Sequence, residues 1–106
     1  MTTATLEFKE MSSSLRSFGH NLSMMKGSLD GAEASCKQRE YTIMFFLLDS
    51  ASTTLNQIHR DIRCIDENEN RTRRKSYNLL NEFAQDLFAS RSRRILNMYC
   101  NAREIR

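Results

Sequence analysis

No proline occurs in this 106-residue chain, and glycine occurs only three times. These are the strongest helix breakers, so their scarcity favours an all-α chain with few interruptions. Long apolar runs are also missing. The longest, Ile43 to Leu48, falls far short of the ~20 residues that span a bilayer, so no transmembrane segment is expected. The opening residues Met1-Thr2-Thr3-Ala4-Thr5 contain neither a basic nor an apolar stretch. No secretory signal is expected, and the expected address is intracellular, in the cytoplasm.

Histidine is scarcer than glycine. His20 and His59 are the only two, and neither has a cysteine, serine or carboxylate at a spacing that makes a nucleophile pair or a metal site. Glycine-rich phosphate loops are absent. No catalytic residue, cofactor or metal is expected, and the chain does not read as an enzyme. Three cysteines, Cys36, Cys64 and Cys100, are too few and too scattered for a disulfide scaffold or a zinc cluster. Cys36 and Cys100 lie equally far from residue 68 and are placed to face one another across a hairpin, although a reducing compartment opposes their pairing.

What the chain does contain is regular spacing. Phe8, Met11, Leu15, Phe18, Leu22, Met25 and Leu29 alternate in steps of three and four, and Met44, Leu48, Ala51, Leu55, Ile58, Ile62 and Ile65 do the same. Such spacing keeps one stripe of a helix facing a partner helix over several turns. A third seam, Tyr77, Leu80, Ala84, Phe88, Ile95 and Met98, stutters after Ala84.

Gly27 and Gly31 bracket the end of the first seam, and Asp30 followed by Glu33 resembles a capping arrangement for a new helix. The spacing therefore predicts helices over about 5–28, 32–66 and 71–105. Residues 66 to 70 carry no apolar side chain on any face, which places a turn there rather than a continuous helix. The expected architecture is a single domain, an elongated antiparallel three-helix bundle with coiled-coil seams. Helix 1, rich in serine and interrupted by Gly19, is expected to be the weakest and shortest element.

Two features stand outside this scaffold. Folding helix 3 back about residue 68 sets Phe45 level with Arg91, so that the most apolar stretch meets the most basic one. Met44, Phe45, Phe46, Leu47 and Leu48 are apolar all round the helix, wider than a two-helix seam requires, and are the candidate protein-binding residues. The other feature is charge. Residues 1–69 carry a net charge of −3 and residues 70–106 a net charge of +6. Arg71, Arg73, Arg74 and Lys75, with Arg91, Arg93 and Arg94 further along, form two basic stations that suit an anion.

The function expected from these patterns is a non-enzymatic interaction module, such as an adaptor, assembly factor or chaperone. Its expected partners are a second copy of itself or another helical protein. The alternative is nucleic-acid or anionic-surface binding through helix 3. Few aromatics interleave with the basic residues, which makes it the second choice.

Overall fold

The computed structural model describes the backbone of residues 3–66 and 71–103, with side chains over 15–62 and 75–103. It contains three helices in the order α1 (Thr3–Lys37), α2 (Tyr41–Asp66) and α3 (Arg71–Ala102), and no strand among the described residues. They form an all-α three-helix bundle, a flattened rod of 61 × 21 × 14 Å. Of the predicted turn at 66–70, Asp66 ends α2 and the rest lies outside the described residues, as do the side chains of Phe8, Met11, Cys64 and Ile65.

The first bend is not where the glycines suggested. Helix 1 does not end at 28: α1 continues through Gly27 and Gly31 to Lys37 and is the longest of the three helices, at 35 residues. The turn is built instead by Gln38, Arg39 and Glu40. Arg39 adopts the left-handed conformation, with φ 62°. Its N–H donates to Cys36 O (3.1 Å) and the N–H of Glu40 donates to Ser35 O (2.8 Å). This pair of bonds is a Schellman cap, which satisfies carbonyls that the end of α1 would leave unpaired. Glu40 O then accepts from Met44 N (3.0 Å), so the residue that ends the cap also starts α2.

Gly31 has a different task from turning the chain. A Cβ placed on it would lie 3.0 Å from Leu47 Cδ1, so its missing side chain lets α2 approach. Asp30 and Glu33 do not start a new helix and face α3 instead, as described below. α1 packs more extensively against α2 than α3 packs against either helix. Small residues of α1 also let two backbones come close: Gly31 of α1 lies under Leu47 of α2, and Ala32 of α1 and Ala51 of α2 are fully buried.

The core follows the first two seams. Met25, Leu29, Ala32 and Cys36 of α1 meet Met44, Leu48, Ala51, Leu55, Ile58 and Ile62 of α2. From α3 come Tyr77, Ala84 and Ile95, with Leu80, Leu87 and Phe88 packed alongside. Near one end, Phe18, Ile58, Ile62, Tyr77 and Leu80 line a pocket where all three helices meet. Near the other, Tyr41 of α2 touches Tyr99 of α3. These two contacts fix α3 antiparallel to α2 and parallel to α1.

Candidate functional site

Six consecutive apolar residues on a helix point in every direction, so the run from Ile43 to Leu48 cannot all enter one core. Met44 and Leu48 turn inward and are buried. Leu47 lies over Gly31 on the α1 side. Phe45 leans toward α3, where its ring meets Tyr99 edge-on at 5.1 Å between centroids. Phe46 and Ile43 are left facing outward, 70% and 48% exposed, and Phe45 remains 45% exposed. Of the five candidate protein-binding residues, Phe45 and Phe46 are therefore the ones presented at the surface.

Phe45 does not meet Arg91. The register of α3 is shifted by about two helical turns from the predicted one, so that Tyr99 rather than Arg91 occupies that place. Tyr99 also meets Tyr41 at 4.9 Å, and the Arg103 guanidinium lies 5.8 Å from the centre of the Tyr41 ring. This aromatic cluster closes the capped end of the bundle. The sequence offered one signal for it, since Tyr41 and Tyr99 are equidistant from residue 70.

The shifted register brings an electrostatic match. Arg91 Nη2 donates to Asp30 Oδ1 at 2.7 Å, and Arg94 Nη2 donates to Glu33 Oε1. The basic station of α3 thus faces the acidic turn of α1 instead of the apolar run of α2. In each pair one side chain is largely covered and the other open to solvent, 21% against 69% for Arg91 and Asp30, so solvent screening limits each to about 1 kcal/mol. Arg93 and Lys75 are exposed. The side chains of Arg71, Arg73 and Arg74 lie outside the described residues.

The third helix is unusual in what it puts inside and outside. Its outer surface exposes Leu79 (66%), Phe83 (53%) and Leu96 (38%). Its inner side carries Asn81 and Arg91, and the buried atoms Asn81 Oδ1 and Arg91 Nε have no hydrogen-bond partner among the described residues. Buried polar atoms left unpaired cost free energy, so these two weaken the docking of α3. An open groove lined by Leu55, Phe88, Ser92 and Leu96 runs between α2 and α3 on that outer side.

Elsewhere the polar groups are structural. Asp61 accepts from Asn21 Nδ2 (3.3 Å) across to α1 and from Gln57 Nε2 (2.7 Å) one turn back. Cys36 and Cys100 are both free thiols. The Cys36 Sγ–H donates to Ile95 O at 3.9 Å, a weak bond, and burial, then the nearby Glu33 carboxylate, pushes the thiol above its ordinary range. Both causes favour the protonated thiol. No group of three or more histidine, cysteine or acidic side chains placed to hold a metal occurs among the described residues. Likewise, none of the helices, over the described residues, is long and apolar enough to cross a membrane. No family model matches the chain, and no curated protein or solved structure is significantly similar to it.

Proposed function

We propose that this chain is a non-enzymatic protein–protein interaction module, of the kind an adaptor, assembly factor or chaperone provides. It joins helices, either by self-association or by taking up a partner helix in coiled-coil packing. The observation that carries this reading is Phe46, 70% exposed on a buried-core helix, with Ile43 and Phe45 around it. Covering one such side chain is worth about 1.5–3 kcal/mol, and contiguous apolar surface of this kind marks interaction sites. The cytoplasm remains the address that suits such a module.

Binding of nucleic acid or another anionic surface through α3 has less support. Arg91 and Arg94, two of the three arginines in its second station, are already paired with Asp30 and Glu33. Any residual attraction would be strongly salt-dependent.

The test is the solution mass of the chain across a concentration series, with Phe45→Ser and Phe46→Ser for comparison. Both variants should keep their helicity and lose whatever association or uptake of a partner helix runs through this patch of α2. Variants that unfold with no change in association would assign these rings to the core and refute the reading.

A further inference from the structure

We propose that the outer face of α3 is a self-complementary interface, which pairs antiparallel with the same face of a second copy of this chain. The inference rests on the reading of the chain as an interaction module, and names one occupant for one of its surfaces.

A stripe with three-four spacing runs along the solvent side of α3: Leu79, Glu82, Asp86, Ala89, Arg93 and Leu96, all exposed. It lies opposite the buried positions Tyr77, Ala84 and Ile95 of the same helix. This is the spacing of a coiled-coil seam, on the face that nothing in the bundle covers. Its order of charges is not arbitrary. Acidic residues occupy the N-terminal half and a basic residue the C-terminal half, with leucine at each end and alanine near the middle.

Two orientations of a second copy can be compared. In a parallel, in-register pair, Glu82, Asp86 and Arg93 would each meet their own counterparts, like charge against like charge, which is repulsive. In an antiparallel pair related by a two-fold axis beside residues 87 and 88, Leu79 comes level with Leu96 of the second copy, Glu82 with Arg93, and Asp86 with Ala89. Two-fold symmetry makes each of these pairings twice. Only the antiparallel arrangement sets opposite charges together while keeping leucine against leucine.

The state of these side chains in the single copy supports the assignment. Arg91 and Arg94 are engaged by α1, but Arg93 forms no ion pair with a described residue, and neither do Glu82 and Asp86. Apolar surface flanks the stripe on both sides. The Leu55–Phe88–Leu96 groove opens on the α2 side, and Phe83 is 53% exposed on the α1 side. A second α3 laid along the stripe would cover both.

The experiment is sedimentation equilibrium of the full chain over a concentration series, for the wild type, Glu82→Arg, Arg93→Glu, and an equimolar mixture of the two variants. The wild type should dimerise. Each variant turns two attractive pairs into two repulsive ones, which should raise the dimer dissociation constant by about tenfold or more. The mixture should recover association as a heterodimer, because the arginine introduced at position 82 of the first variant then meets the glutamate introduced at position 93 of the second.

Helicity of each variant is followed by circular dichroism. Should a reversal unfold the chain, Glu82→Gln and Arg93→Gln replace it and should weaken the dimer by a few-fold. A wild type that stays monomeric overturns this interface and self-association together. A dimer that survives both reversals, or a mixture that fails to recover, overturns the α3 interface alone. Loss of that dimer on Phe46→Ser would instead place the contact on α2.

Discussion

The α1/α2 hairpin and the third helix are built on opposite terms. In the hairpin, small residues line the contact: Gly31 sits beneath Leu47, Ala32 and Ala51 are fully buried, and a three-residue cap fixes the turn. In α3 the inside holds Asn81 and Arg91 with unpaired buried atoms, while Leu79 and Phe83 are more than half exposed. One pair of helices completes itself, and the other helix adds only Tyr77, Ala84 and Ile95 to the buried core and is held besides by ion pairs and a closing aromatic cluster. A helix that buries Tyr77, Ala84 and Ile95 on one side and still exposes Leu79, Phe83 and Leu96 on the other is suited to contacts on two sides, and association is the natural way to supply the second.

Core truncation should separate the two regions most sharply. Ile58→Ala, 1% exposed in the hairpin, should cost about 2–5 kcal/mol in chemical denaturation, through lost transfer energy and a residual cavity. Leu79→Ala, 66% exposed on α3, should cost less than about 0.5 kcal/mol in the monomer. A large loss at Leu79 would mean that the outer face of α3 is already covered within one chain.

The glycines give the next effect. Gly31→Val should destabilise by about 1–3 kcal/mol, because its side chain would push into Leu47 and separate the hairpin. Gly27→Ala should stabilise by about 0.5–1 kcal/mol, since a Cβ there meets nothing within 4 Å and the position is mid-helix. Thermal melts of the two variants that shift in the same direction would contradict the continuous α1.

The smallest effect belongs to the ion pairs. Glu33→Gln should lower stability by less than about 1 kcal/mol, with the difference from wild type shrinking as salt is added. A salt-independent loss at that position would assign Glu33 a packing role.

The three helices were legible because a three-four spacing is read directly from apolar positions, and all three are present in the structure. The first bend was not. Gly27 and Gly31 resembled punctuation, but the apolar stripe continues past Leu29 through Ala32 and Cys36, and small residues carry a weak hydropathic signal. Backbone geometry made the turn at Arg39, a residue with no strong preference for a left-handed conformation. Misplacing it moved every pairing between α1 and α2. The register of α3 was likewise hidden, because the contacts that mark it, Arg91 with Asp30 and Arg94 with Glu33, join residues 61 apart in sequence. For the candidate surface, the apolar run 43–48 was visible as a whole, while its division into buried Met44 and Leu48 and exposed Phe45 and Phe46 required the neighbouring helices.

The central claim is that this bundle leaves apolar surface for another helix to cover. Sedimentation equilibrium of the unmodified chain, from micromolar to submillimolar concentration, tests it most directly for self-association. The account predicts a weight-average mass that climbs from monomer toward dimer across the series. A monomer mass at every concentration would contradict the dimer and leave the outer face of α3 without the occupant assigned to it.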